Sequence, residues 1–291
     1  MISQERQWEL HLMIVFAMIT WGLSWTNAKI LGFYADAELI TFWRFLIASI
    51  CFYFIAKNRV SLKLSFKYLP LVVANSICMV LYNYFYFRGT QIGLAGTGGV
   101  LVTTINPILT AIFSNLFFQE AIPKKGVLGL FLGLVAGSLI LRIWELNLYN
   151  FCNSGNLFFI LASLFWVAVT IITARTVGKI TFLSYSLWTF SLSIFFSLPF
   201  VPVNSLLSVF KFDLIFWVNL IFLSVFAMAL GTSIYFYAST RLGPRKASSF
   251  IFLVPFTAIL FSMYFLKEPL QISTILGGIL GIISVYLINA S

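Results

Sequence analysis

An offset of 148 residues carries Pro107 onto Pro255, Phe113 onto Phe261, Ser114 onto Ser262, Glu120 onto Glu268, Gly129 onto Gly277 and Gly133 onto Gly281. One stretch is thus written twice in a chain of 291 residues, and the fold must hold two similar units against each other. In a strongly apolar chain, such a duplication points to two homologous helical bundles with a site between them. Ala17 and Trp21 fall on Ala162 and Trp166 at a slightly shorter offset, so the difference is absorbed between the two matching stretches.

Hydrophobic residues make up 61% of the chain and charged residues 9%, and the mean hydropathy is +1.01. That leaves too little polar surface to coat a soluble globule of this length. The expected class is an all-α polytopic membrane protein. A crossing helix takes about 20 apolar residues, and runs between charged or turn-rich breaks place ten spans near 11–31, 37–56, 67–87, 93–118, 124–142, 154–174, 180–202, 214–238, 243–266 and 270–289. No soluble domain fits between them. The first run is too long, and too firmly followed by others, for a cleaved leader, and is expected to be retained. Cys51, Cys78 and Cys152 are an odd set without metal-ligand spacing and read as small apolar filler.

The net charge of +10 lies in short loops rather than on a nucleic-acid-binding face. The N-terminal tail and the loops after spans two, four, six and eight hold Arg6, Lys57, Arg59, Lys63, Lys67, Lys124, Lys125, Arg175, Lys179, Arg241, Arg245 and Lys246. The opposite loops hold Arg88, Arg142, Lys211 and Lys267. This bias puts both termini in the cytoplasm. Five spans per half is an odd number, so the second half enters the membrane from the other side, giving two inverted five-helix repeats, residues 1–148 and 149–291. Glu120 then faces the cytoplasm and Glu268 the outside.

The segments TWGLSWTNAKI in span one, FWRFLIAS in span two, NPILTAIFSNLFFQE in span four and its echo VPFTAILFSMYFLKEP in span nine resemble the EamA family of the drug/metabolite transporter superfamily. The resemblance runs from about residue 12 to residue 289. It implies a ten-helix carrier with inverted repeats that moves amino acids, nucleotide sugars or other small metabolites, often outward. Lys29 and Arg44 match positions where that family commonly carries those residues.

A cation near the bilayer centre costs roughly 2.5–3.5 kcal/mol even on lenient insertion scales. Lys29 stands near the end of span one, where its ammonium either snorkels to the outer surface or meets substrate. Arg44 lies about two turns into span two, either ion-paired with Asp36 or Glu38 or at the substrate site. Thr20, Ser24 and Asn27 share one face of span one beside Trp21 and Trp25. Span three offers Asn75, Met79, Tyr82 and Tyr86 with Asn83 beside them, and span six offers Ser163, Trp166, Thr170 and Thr173.

Faces this polar turn toward protein or a cavity. Trp21, Ser24, Asn27, Asn83, Tyr86, Trp166 and Thr170 form the expected substrate-binding set, with interhelical hydrogen bonding as the competing role. Lys29, Arg44, Pro107 and Pro255 are the candidates for gating or ion pairing, each proline removing one helical hydrogen bond at an equivalent place in its half. Span four carries Thr103, Thr110 and Ser114 on the face of Pro107, and span nine carries Ser248 and Ser262 in similar array. Gly129, Gly133, Gly277 and Gly281 make small-residue packing faces. Gly93, Gly96, Gly98 and Gly99 lack the Lys-Ser or Lys-Thr of a phosphate loop and read as close packing at a membrane entry.

His11 is the only histidine, and the carboxylates fall at span ends or in loops, so an enzyme, a metal site or a cofactor has little to stand on. Inverted repeats with paired prolines favour a carrier working by alternating access over a fixed pore. A channel or facilitator, and a nucleotide or nucleotide-sugar carrier, stand as alternatives. A cavity rich in Trp, Tyr, Asn and Thr, with cations and no buried acid, suits a zwitterionic or anionic small molecule such as an amino acid, exported or exchanged. The remaining expectations are a bacterial inner membrane, a small-molecule substrate and the lipid bilayer as partners, no nucleic acid, and a monomer or homodimer.

Overall fold

The computed structural model of the protein describes residues 4–59, 61, 63–118, 124–145, 147, 154–176, 178–242 and 250–289. Glu120, Cys152, Ser248, Arg245, Lys246 and the expected join of the halves at 148–149 lie outside the described residues, as do the side chains of Pro107, Ser114, Lys124 and Arg241. Among the described residues there is no strand. The helices are α1 (Gln4–Leu31), α2 (Ala37–Ala56), α3 (Leu69–Ile92), α4 (Ala95–Phe118), α5 (Lys124–Leu141), α6 (Asn156–Ala174), α7 (Phe182–Ser197), α8 (Leu214–Ile221), α9 (Thr232–Leu242), α10 (Leu253–Leu266) and α11 (Ile272–Asn289). A π-helical segment, Phe222–Gly231, joins α8 to α9 without a break.

Helices dominate because lipid offers no partner to backbone N–H and C=O groups, and a helix satisfies them internally. Six described helical segments are long and apolar enough to cross a membrane: Trp8–Leu31, Ala37–Ala56, Phe66–Ile92, Asn156–Ala174, Phe182–Phe200 and Leu214–Tyr235. Shorter apolar helices span Lys125–Leu141, Leu253–Leu266 and Ile272–Ser284. Local chemistry sets several ends. The Thr181 hydroxyl accepts from the Ser184 amide at the start of α7, and Asp213 Oδ1 accepts from the Phe216 amide, 3.1 Å, at the start of α8, each satisfying an otherwise orphaned first-turn donor. Pro70 sits in the first turn of α3, where no donor is lost.

Several expected boundaries move. Helix α1 begins at Gln4 rather than near residue 11, because no breaker separates the polar start from the apolar run. Helix α3 continues past Phe87 to Ile92, which puts Arg88 inside the helix, bonded to Gln91, instead of in a loop. Span seven stops at Ser197, and 3₁₀ turns at Leu198–Phe200 and Val203–Ser205 surround Pro199 and Pro202. Pro255 is buried in the first turn of α10, directly after a 3₁₀ turn at Phe250–Phe252. The helical register changes there, as a proline that cannot donate demands. Helix α4 continues through Pro107.

Helix contacts fall into exchanging pairs. Helix α1 packs on α10 as α6 packs on α4, and α3 packs on α6 as the π segment packs on α1. The packing of α3 on α7 is matched by that of the π segment on α2, while α2 with α7, α4 with α10 and α5 with α11 pair directly. Small residues set the closeness. A Cβ on Gly99 would lie 2.5 Å from Ala258 Cβ and 3.1 Å from the Trp25 ring, and one on Gly98 would lie 2.5 Å from the Phe159 ring. A Cβ on Gly281 would meet Thr104 at 2.5 Å, and the Ser284 hydroxyl donates to the Gly129 carbonyl at 2.6 Å, so the glycine faces of α5 and α11 pack inside the protein.

Gly99→Val is expected to lower stability by about 1–3 kcal/mol through overpacking, seen as a lower melting temperature in detergent. Gly137, whose Cβ would meet nothing within 4 Å, tolerates Ala with a change of at most about 1 kcal/mol. Equal melting temperatures for the two variants would contradict this account of the α1–α4–α10 contact.

Candidate functional site

Helices α1, α2 and α3 bring polar side chains together where the duplicated halves meet. Arg44 on α2 is 7% exposed and donates from Nη1 to Asn83 Oδ1 on α3, 2.8 Å. Asn83, fully buried, returns its amide N–H to the Met79 carbonyl at 2.8 Å, which fixes its oxygen toward the guanidinium. Arg44 also lies over the rings of Tyr86 and Phe87, 5.6 Å from each centroid. It forms no ion pair with Asp36 or Glu38, which corrects the ion-pair expectation. Glu38 is six residues away, about 240° around the helix, and Asp36 is about 12 Å along the axis, so neither carboxylate reaches it.

An aromatic column extends from this cluster. Tyr86 donates its hydroxyl to the Ser24 carbonyl, 2.7 Å, stacks with Tyr82 at 5.9 Å and meets the Trp25 edge at 4.7 Å. Tyr82 in turn lies 4.8 Å from Trp166 of α6. Ser24, Asn83, Tyr86 and Trp166 are thus linked in one assembly that draws on both halves. Asn27 joins it on the Ser24 face of α1 and donates to Asn219 Oδ1 on α8, 2.8 Å.

Trp21 faces elsewhere. Its indole N–H donates to the Ala227 carbonyl of the π segment, 2.9 Å, and its ring lies 5.4 Å from Tyr235. A Cβ on Gly231 would approach Trp21 Nε1 to 2.9 Å, so only glycine permits this crossing. Thr170 spends its hydroxyl on the Trp166 carbonyl of its own helix at 2.9 Å, as Thr103 does on the Gly99 carbonyl at 2.6 Å.

One end of the bundle is tied across the halves. The Glu268 carboxylate accepts from the Ala95 and Gly96 amides, 2.7 and 2.9 Å, at the N-terminus of α4. Both orphan donors and the helix dipole favour a negative charge there. The chain turns into this position through Lys267, whose φ of 56° is a left-handed conformation costly for a residue with a Cβ. Lys29 donates to the Gly93 carbonyl at 2.6 Å, one residue pair before this cap. Its half-buried ammonium is tied to backbone beside Glu268. Nearby, Tyr34 donates to Asp213 Oδ2, 3.0 Å, and Trp43 donates to the Leu206 carbonyl, 2.9 Å. Desolvation first, then the Asp213 hydrogen bond, raises the Tyr34 phenol above its ordinary value.

Several participants were missed by sequence reasoning. Asn219 carried a usable signal, an amide inside an apolar run, and so did Asp213, a capping residue directly before one. Thr189 and Ser193 of α7 form a seam with α3: Ser76 donates to the Thr189 carbonyl, 3.0 Å, and Ser193 to the Ser76 carbonyl, 3.3 Å. Hydroxyls scattered through a span gave no hint of that partner.

An all-helical, multi-pass membrane protein with a polar and aromatic core drawn from both halves is the class that this fold and site define. The profile of the EamA-like transporter family matches residues 9–142 and again residues 153–290, and the chain belongs to that family. It is 28% identical over 287 residues to the Bacillus subtilis (strain 168) protein called Uncharacterized transporter YvbV, covering 96% of this chain and 90% of that protein. It is 24% identical over 283 residues to an uncharacterized transporter of Archaeoglobus fulgidus, covering 96% and 97%. A solved crystal structure aligns with a TM-score of 0.62 at 18% identity over 96% of each chain, a likeness of fold.

Glu268→Ala removes the acceptor of two backbone donors and is expected to cost about 1–3 kcal/mol, measured as a lower melting temperature. Glu268→Gln, which keeps one acceptor oxygen, is expected to fall between. An unchanged melting temperature for Glu268→Ala would show that the cap contributes nothing to the tie between the halves.

Proposed function

We propose that the protein is a secondary carrier that moves a small zwitterionic or anionic metabolite, an amino acid foremost, as an exporter or exchanger in a bacterial inner membrane. Ten spans form two inverted five-helix repeats, residues 1–148 and 149–291, with both termini cytoplasmic, and the halves rock about their shared core. Trp21, Ser24, Asn27, Asn83, Tyr86, Trp166 and Thr170 lie along the path, and Pro107 and Pro255 mark the places where helices bend.

The observation that carries this reading is the exchange of helix contacts between the halves. Two units that make the same contacts on each other have two arrangements of similar energy, related by exchanging their roles, and that is the physical requirement for alternating access. The buried assembly of Arg44, Asn83, Tyr86 and Ser24 supports a path closed to both sides, and the ties of Glu268, Tyr34 and Trp43 support closure at one end. The cationic, acid-poor core supports a negatively charged or zwitterionic cargo.

Counterflow tests the proposal. Proteoliposomes are loaded with one unlabelled solute at a time from a panel of amino acids, nucleotides and nucleotide sugars, and entry of the labelled compound is followed. Transient accumulation above equilibrium is the expected result for at least one amino acid. Equilibration without overshoot would point to a channel, and overshoot confined to nucleotide sugars would replace the amino-acid assignment.

A further inference from the structure

We infer that Arg44 recognises the anionic group of the cargo: a carboxylate or phosphate on the transported molecule, not a side chain of the protein, is the counter-ion of its guanidinium. This inference rests on the carrier proposal and names the chemistry of its site. Arg44 stands inside a membrane-crossing segment and is 7% exposed. Among the described residues the sole ion pair is between Arg142 and Glu145, in an exposed turn. The partners of Arg44 are one amide oxygen, Asn83 Oδ1, and two ring faces, while its Nε is buried with no hydrogen-bond partner. A neutral oxygen and aromatic faces offset a full buried charge only in part. A guanidinium cannot escape by losing its proton, as a buried lysine can.

The surroundings fit a ligand. Thr41, one turn earlier on the same face of α2, is buried with its hydroxyl unpartnered, so a second unpartnered donor lies on the helix face of the free Nε. Asn27 Oδ1, buried and unpartnered, lies on the α1 face that Tyr86 joins to this cluster through Ser24. It supplies an acceptor for an ammonium or hydroxyl group on the same cargo. Tyr82 and Trp166 continue the assembly and offer ring faces to an apolar portion. Unpaired buried polar groups are costly and persist where function needs them; a donor fork, a hydroxyl and an amide acceptor together describe a polar ligand with an anionic end.

The test uses the full-length protein with Arg44→Gln and Arg44→Lys. Glutamine removes the charge and keeps a shorter, neutral N–H donor at the same position. Purified without added solute, Arg44→Gln is expected to melt at or above the wild-type temperature, because the charge removed had no counter-ion. Its counterflow of the anionic solute is expected to fall by at least about tenfold, with partial recovery in Arg44→Lys. The loading panel pairs each amino acid with its carboxamide and each nucleoside monophosphate with its nucleoside. Acceleration by the amino acid alone assigns a carboxylate, and acceleration by the nucleotide alone assigns a phosphate. The inference is overturned if Arg44→Gln melts several degrees below wild type and Arg44→Lys restores it, since the guanidinium is then a structural clasp. Equal acceleration by charged and neutral members of a pair also overturns it. Absence of counterflow in the wild type would count against the carrier proposal, while the melting comparison would still decide the role of Arg44.

Discussion

Inside a bilayer no water completes a broken hydrogen bond, and the way this chain satisfies its polar side chains organises everything else. The inexpensive solution is local. Thr20, Ser163 and Thr170 return their hydroxyls to carbonyls three or four residues back on their own helices, which leaves those faces effectively apolar. The costlier solution reaches across helices, as in Asn27 with Asn219, Asn83 with Arg44, Tyr86 with Ser24, Trp21 with the Ala227 carbonyl, and Ser76 with the Thr189 carbonyl. These cross-helix bonds draw on both halves.

Close approach then becomes the second requirement. Cross-helix bonds of this kind need backbones in near contact, and glycine provides it at the crossings that matter. Gly99 lets α4 meet Trp25 and Ala258, and Gly231 lets the π segment meet Trp21. The π register has a further consequence, since it presents the Ala227 carbonyl to an indole of another helix, and departures from α geometry of this type concentrate at functional sites. On the proposed carrier reading, contacts made through glycine and single hydrogen bonds are easier to exchange than deeply interdigitated large side chains.

The class of fold and the family were legible in the sequence because apolar run length and repeated motifs are properties of single segments. Much of the candidate assembly was legible for the same reason, since Ser24, Asn83, Tyr86 and Trp166 stood out as polar or amphipathic groups in apolar runs. Partners were not. Arg44 was recognised as a buried cation, yet its pairing went to Asn83 rather than to a nearby carboxylate, because helical geometry separates residues that are neighbours in sequence. Glu268 was visible only as the repeat mate of Glu120; that it caps α4 depends on contacts 172 and 173 residues away. The π segment left no compositional trace, because one extra residue per turn changes register without changing residue type.

The central claim is that the two halves exchange arrangements about a shared polar core. Its most direct test is a pair of distance measurements by double electron–electron resonance on a cysteine-free background. One label pair is placed at exposed Phe33 and Val203, near the Tyr34–Asp213 and Trp43–Leu206 bonds. The other is placed at exposed Arg59 and Lys179, near the end where Phe52 meets Phe182. The account predicts two distance populations at each end, with the longer distance at one end accompanying the shorter at the other and their ratio shifting when a transported solute is added. A single fixed distance at both ends, with and without solute, would contradict it.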